Sequence, residues 1–311
     1  MRHPTSIGGL IAAPFTPFDR AGAVRAEAIM AYAAHLAGSG VSGAFVCGST
    51  GEGQLMSSAE RQEVASAWRT AIDAQGLNLR LIVHVGHASQ TEAARLAAHA
   101  AEIGADAIAA LAPYYDRPAT AEDLADFLAP VAAAAAPKPF YYYHMPAATG
   151  VLLPMRRFLP VAADRIPTLA GVKFTHEDLM DFSLCTTLDG GRFNMLWGRD
   201  EILLAGLMMG ANGAVGSTYN YAAPVYQRVM AALERGDLAE ARRQQLAAQR
   251  IIDCMLRHGS GKVIMKWLGI DCGPVRSPRR DASIQDDERF RREMQQLGFF
   301  DAVVAAEPVL R

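Results

Sequence analysis

A lysine stands alone among apolar residues in Gly171-Val172-Lys173-Phe174-Thr175. Such a segment reads as a buried parallel strand, where an ammonium loses its hydration unless it is paired. Desolvation lowers a lysine pKa from about 10.4. A neutral amine attacks carbonyl carbons, which is the Schiff-base route to carbanion chemistry. The competing reading is a lysine at a strand end whose head reaches water.

Four more segments carry groups that such a reaction could use. Gly48-Ser49-Thr50-Gly51-Glu52-Gly53 sets two hydroxyls between glycines, just before a capped helix. Backbone N–H groups and side-chain donors there suit a carboxylate; the plainer reading is a flexible turn. In Tyr141-Tyr142-Tyr143-His144-Met145-Pro146, alternation turns only some of the aromatics toward one face. Trp197-Gly198-Arg199-Asp200-Glu201 and Gly216-Ser217-Thr218-Tyr219-Asn220 end two further apolar runs in hydrogen-bonding groups. Asp200 and Glu201 suit sugar hydroxyls, or else simply favour the start of the next helix through its dipole.

Alternating elements must position these residues. Nearly continuous apolar runs mark strands at Gly9–Phe15, Gly43–Cys47, Leu79–Val85, Ala107–Leu111, Phe140–Tyr143, Gly171–Phe174, Asn194–Trp197 and Gly213–Val215. Continuous runs are expected of parallel strands buried on both faces. Between them Glu60–Ala74, Glu92–Ile103 and Asp123–Ala136 have helical spacing. Capping pairs are predicted at Ser57/Glu60, Ser89/Glu92, Thr120/Asp123 and Thr175/Asp178. Gly40, Gly76 and Gly104 fall where helices should stop.

Eight such units predict an α/β fold, a (β/α)8 TIM barrel over residues 1–235, with a doubly wound open sheet as the alternative. Residues 236–311 are expected to form a C-terminal helical extension with helices at Asp237–His258, Gly261–Leu268 and Asp286–Leu297. In a barrel, function gathers at the carboxyl ends of the strands, where all five segments end.

Composition narrows the classes. The chain has 311 residues, 51% hydrophobic and 20% charged, enough apolar surface for a globular fold. A formal charge of −2 provides no field for nucleic acid. The one basic cluster, Arg276, Arg279 and Arg280, is followed by Asp281, Asp286, Asp287 and Glu288 and reads as solvated surface. Cys47, Cys185, Cys254 and Cys272 lack C-x-x-C spacing and read as reduced thiols of a cytoplasmic protein. No signal peptide or membrane span is expected. The uncharged stretch Ile202–Gln227 is broken by glycines, Asn212 and Pro224 and reads as helix, strand and turn. His84 and His87, at i,i+3, face opposite sides of a strand and make no metal pair, while His35 and His99 read as structural helix residues. No metal or nucleotide motif is present, so neither cofactor is expected.

In order along the chain, Gly48 to Glu52, Ala112-Pro113-Tyr114-Tyr115, Tyr143 to Gly150, Lys173, and Gly216 to Asn220 resemble the pyruvate-dependent Schiff-base aldolases, the dihydrodipicolinate synthase and N-acetylneuraminate lyase superfamily. Phe140 to Pro146 and Gly213 to Tyr221 are most similar to its N-acetylneuraminate lyase branch, in the animal-type form. Synthases of this superfamily place a carboxylate-binding arginine two residues after the Pro146 position. Here it is Ala148, which disfavours an aspartate-semialdehyde substrate.

The resemblance implies that Lys173 forms the imine and that Tyr143 transfers the 4-hydroxyl proton together with the substrate carboxylate. Ser49 and Thr50 would hold that carboxylate. Tyr115 would reach across a subunit interface, in a homotetramer, to complete a hydroxyl chain, and Ser49 is counted with Lys173, Tyr143 and Tyr115 among the catalytic residues. Thr175, Gly198, Asp200, Glu201 and Ser217 would grip the polyol and N-acetyl portion. Pyruvate and N-acetylmannosamine would be the products, with no cofactor. Arg199 and His176-Glu177 depart from the branch's pattern and bear on sugar preference. The alternatives are an aldolase or dehydratase of another 2-keto-3-deoxy sugar acid, or a silent keto-acid-binding protein, which would have no need of both Lys173 and Tyr143.

Overall fold

Apolar runs of four to six residues become eight parallel strands that close into one barrel in chain order. They are β1 (Gly9–Ala12), β2 (Gly43–Val46), β3 (Arg80–His84), β4 (Ala107–Leu111), β5 (Phe140–His144), β6 (Leu169–Phe174), β7 (Asn194–Trp197) and β8 (Gly213–Gly216). The computed structural model describes residues 6–280 and 284–304. β1 pairs with both β2 and β8, so the sheet has no edge and the open-sheet alternative falls. Only Gly9 and Arg80 among the strand residues escape full burial, which is why the runs lack polar alternation.

Alternation still sorts the side chains into two layers. Ile11, Phe45, Ile82, Leu111, Tyr141, Tyr143 and Leu196 fill the barrel interior. Val46, Leu81, Phe140, Tyr142, Phe174 and Trp197 face the surrounding helices. The tyrosine run of β5 therefore divides as expected, with Tyr141 and Tyr143 inward and Tyr142 outward.

The β5–β6 ladder has an irregularity. Phe140 pairs with Leu169 and Tyr141 with Gly171, so Ala170 is an extra residue. Such a bulge re-aims the strand. From it onward Tyr143 pairs with Lys173. Gly171 is required there, because a Cβ would stand 1.9 Å from the Asn194 carbonyl oxygen.

Helices at Ser58–Ala74, Gln90–Glu102 and Ala121–Ala133 fill the predicted intervals. Capping boxes form at Ser57/Glu60 and Thr120/Asp123. Ser89 caps its helix, while Glu92 turns to Ser58 and Arg95. The predicted Thr175/Asp178 pair is corrected. Asp178 is itself the cap of the helix Leu179–Thr187, accepting the Asp181 N–H. Thr175 instead continues the ladder and donates its N–H to the His144 carbonyl. The uncharged stretch supplies the helix Leu203–Met208, β8 and the start of the helix Tyr219–Glu234. No described helix is long and apolar enough to cross a membrane.

The extension contributes helices at Leu238–His258, Gly261–Trp267, Ile284–Gln296 and Phe299–Ala302. Its linking segment returns over the carboxyl face of the barrel, which corrects the reading of the basic cluster. Arg276 is largely buried, pairs with Glu60, and lies 4.2 Å from the Phe18 ring centroid. Arg279 donates to the Ser49 carbonyl at 2.7 Å while staying exposed, and Arg280 is exposed as well, so the solvated reading holds for these two and fails for Arg276. Asp281 lies outside the described residues. The barrel loops carry carbonyls and Glu60 that need donors, and the arginines meet that need.

Candidate active site

Lys173 is the next-to-last residue of β6, with 4% of its surface exposed. Its Nζ lies 4.0 Å from the centroids of both the Phe45 and Tyr143 rings. Burial draws the amine down to about 7, with Asp200 pulling the other way. An amine of that kind is partly free at neutral pH, as a nucleophile toward a ketone requires. Burial pushes the Tyr143 phenol well above its ordinary range, with the Thr175 hydroxyl acting in the opposite direction. Tyr143 is thus a poor base without help from a bound group.

A cavity of about 330 Å³ opens beside this pair, lined among others by Ser49, Gln54, His84, Leu111, Tyr114 and Arg279. Leu111 is the register partner of Tyr143, so the cavity adjoins the Lys173–Tyr143 pair. The loop after β2 reaches it through a tight turn, with Cys47 and Glu52 at φ 58° and 57°. Gly53 is obligatory in that turn, since a Cβ would stand 1.8 Å from the Cys47 carbonyl oxygen. Buried Glu52 anchors the loop, pairing with buried Lys262 at 2.8 Å and accepting the Arg276 N–H at 2.7 Å.

The loops after β6, β7 and β8 hold the remaining expected residues. Asp200 is buried, and its Oδ2 accepts the Thr218 N–H at 2.8 Å and the Thr218 hydroxyl at 2.7 Å. Burial raises its carboxyl pKa against these bonds. Asp200 and Glu201 open the short turn Asp200–Ile202 that leads into the next helix, as the helix-start reading has it, and the Asp200 carboxylate also reaches across to the start of the Tyr219–Glu234 helix. The Ser217 hydroxyl lies at 3.5 Å from the same oxygen. Thr175 Oγ1 is buried and acts on the Tyr143 phenol. Gly198 makes room for it, because a Cβ there would lie 2.0 Å from that oxygen. Arg199 pairs with Glu177 and stands 3.8 Å from Glu201. Arg199, His176 and Glu177, the residues singled out as departures in the sequence, thus come together, with His176 at 3.2 Å from Glu177.

Tyr115 is not brought to the cavity within one chain and is 85% exposed. Tyr114 lines the cavity instead and donates to Gln54 at 3.3 Å. Sequence reasoning missed His84, Gln54 and Arg279. For His84 the signal was present, because the alternation that aims Lys173 inward also aims Ile82 and His84. Arg279 had none, since its approach depends on the path of the extension. Away from the cavity, Cys254, His258 and Glu293 bring donor atoms within 4.8 Å of one another, though Arg257 and Arg289 already hold the Glu293 carboxylate.

An inward lysine lies against a tyrosine ring at the carboxyl end of a (β/α)8 barrel, and the chain is that of a carbon–carbon lyase. Residues 6–297 match the Dihydrodipicolinate synthetase family, and the chain belongs to that family. It is 41% identical to the N-acetylneuraminate lyase of Mus musculus over 303 residues, 94% of this chain and 93% of the mouse protein. The Homo sapiens protein of that name is 41% identical over 300 residues, covering 94% and 92%. Among solved structures, Proteus mirabilis N-acetylneuraminate lyase superposes with a TM-score of 0.90 at 37% identity, covering 94% of this chain and 99% of that one. A catalytic lysine mutant of Ruminococcus gnavus sialic acid aldolase gives 0.89 at 28% identity, covering 97% and 98%.

Proposed function

We propose that this protein is a carbon–carbon lyase that cleaves N-acetylneuraminate to pyruvate and N-acetylmannosamine through a Schiff base on Lys173. The observation that carries the reading is the buried Lys173 amine, drawn down to about 7 beside Tyr143. The relatives named N-acetylneuraminate lyase, at 41% identity over most of the chain, supply the substrate.

In this mechanism the free amine adds to the keto carbon of the open-chain substrate and water leaves. The protonated imine then draws in the electron pair of the C3–C4 bond as that bond breaks. The 4-hydroxyl proton passes to the Tyr143 oxygen as that phenol hands its own proton to the substrate carboxylate, because the buried phenol alone is a weak base at neutral pH. The enamine left on Lys173 then takes a proton back at C3, and water hydrolyses the resulting imine to release pyruvate and the free amine. The carboxylate rests on Ser49 and Thr50. Thr175, Gly198, Asp200, Glu201 and Ser217 face the polyol. Asp200 contributes less than its position suggests, one oxygen being committed to Thr218.

Tyr115 acts from a neighbouring subunit of a homotetramer, a role favoured by its 85% exposure on the loop after β4. The enzyme works in the cytoplasm, in keeping with four buried free cysteines. A second reading, the cleavage of a different 2-keto-3-deoxy sugar acid, draws on the Arg199–Glu177 ion pair beside Gly198 and Asp200, the residues assigned to the polyol.

Incubation with N-acetylneuraminate and borohydride, read by intact mass, tests the main reading. A pyruvate-sized adduct on wild type and none on Lys173→Ala is the expected result. An adduct formed only with other sugar acids transfers the assignment to the second reading.

A further inference from the structure

We infer that His84 is a further substrate-contacting residue of this enzyme, its Nε2 serving as a built-in hydrogen-bond acceptor for a hydroxyl of the bound substrate. The inference rests on the function proposed above and extends it to a residue outside the Lys173–Tyr143 pair.

His84 ends β3 on the inward side, two residues beyond the interior residue Ile82. It is 1% exposed and borders the cavity. Its ring meets the Tyr143 ring edge-on at 5.7 Å and 90° and lies 6.0 Å from the Phe45 ring. Those two rings are the ones that carry the Lys173 amine. Lys173 and His84 thus pack on the same pair of aromatics.

The environment selects one tautomer. Nδ1 lies 3.1 Å from the Cys47 carbonyl oxygen, which can only accept, so Nδ1 carries the hydrogen. The Arg61 guanidinium, more distant from Nδ1 at 3.5 Å, is engaged by the His84 and Gly86 carbonyls at 2.6 and 2.9 Å. Nε2 is left with its lone pair, buried and without a partner among the described residues. Gly86 places no side chain against that edge of the ring, where a Cβ would stand 2.9 Å from Nε2. The charged groups acting on the ring are Arg61 and Lys173, and with burial they hold its pKa well below the ordinary value. The imidazole is therefore neutral at working pH.

A buried acceptor with no partner is costly, and native structures seldom keep one without a use. A lone pair repels a carboxylate and requires an O–H or N–H. In a hydroxylated keto acid the donors are the carbinolamine hydroxyl, formed when Lys173 adds to the keto carbon, and the hydroxyls of the sugar chain.

Three full-length variants separate the acceptor from the ring. His84→Phe keeps the aromatic packing and loses the acceptor. His84→Gln brings an amide oxygen to the position of Nε2. His84→Asn keeps a donor for the Cys47 carbonyl without the acceptor, and replaces the Phe variant if that one misfolds by circular dichroism. The expected result is a fall in kcat/KM of about tenfold or more for the Phe or Asn variant, with substantial recovery in the Gln variant. The pH midpoint of activity stays where wild type has it, since His84 does not titrate. Slower borohydride trapping of pyruvate identifies the carbinolamine hydroxyl as the donor. Unchanged trapping with a raised KM for the sugar acid identifies the sugar chain. Wild-type kcat/KM in a folded Phe or Asn variant, a Gln variant no better than Phe, or a shifted pH midpoint each overturns the proposal while the Schiff-base reading stands. A wild-type enzyme that traps no keto acid at all overturns both.

Discussion

Tyr143 and Lys173 are register partners on β5 and β6, with the lysine amine 4.0 Å from the centre of the tyrosine ring. The contact buries against an aromatic face the amine that the proposed mechanism uses as nucleophile. On that proposal, the acid–base behaviour of Lys173 and its chemistry depend on the same packing arrangement.

The first prediction concerns pH. An amine at about 7 is half free at neutral pH, against about one part in three thousand for an ordinary exposed lysine. The rate of imine trapping with pyruvate should therefore rise through pH 7, falling about tenfold per unit well below it. A trapping rate still climbing steeply between pH 8 and 10 would show that the amine is not desolvated in solution.

The same shift is a statement about stability. Lys173 binds its proton less tightly folded than unfolded, so wild type gains stability as pH rises from about 7 toward 10.5. Each pH unit of that window is worth about 1.4 kcal/mol at most. Lys173→Met should be more stable than wild type at pH 6, and its advantage should shrink as pH is raised. Urea midpoints of the two proteins across that range check the slope, and parallel curves would refute it.

Breaking the buried pair Glu52–Lys262 should be severe. Lys262→Met leaves a buried carboxylate uncompensated, which costs about 3–5 kcal/mol. Adding Glu52→Gln should restore part of the loss. A double variant no more stable than the single one in chemical denaturation would mean that the pair is not coupled.

Arg276 joins the extension to the loop after β2. Its hydrogen bonds hold the Glu60 carboxyl down to about 2. This stabilisation is complete above the ordinary carboxylate range and is lost as pH falls from about 4.5 through 2. Arg276→Ala should lower stability at pH 7 by about 2 kcal/mol, a value limited by partial solvent screening. The gap from wild type should narrow in acid, and denaturation at pH 7 and pH 3 measures it.

Gly198→Ala tests the approach of the loops after β6 and β7. The new methyl would press on Thr175 Oγ1 at 2.0 Å and on the Phe174 carbonyl at 2.9 Å, so backbone must shift. Destabilisation of about 1–3 kcal/mol and a raised KM for the sugar acid are expected, with pyruvate trapping little changed. An unaltered KM would remove Gly198 from the polyol end of the site.

The strands, most of the caps and the anomaly at Lys173 were readable from the chain because each depends on residues within one turn or one strand. Buried parallel strands demand unbroken apolar runs, Ser57 and Thr120 cap the residues that follow them, and a lone lysine in such a run stands out. The inward turn of His84 was readable by the same alternation, although a histidine there gives no local sign of a free lone pair. Other features arise only on closure. The extra residue at Ala170 sets Lys173 opposite Tyr143 through pairing between separate strands. Thr175 joins the ladder and leaves the cap to Asp178 because a neighbouring strand offers the His144 carbonyl. Glu52 meets Lys262, Glu60 meets Arg276, and Ser49 meets Arg279 across more than two hundred residues of chain. Spacing along a chain carries no record of such partners. Long-range burial brings them together, because charges and carbonyls removed from water must find donors and acceptors wherever the fold places them.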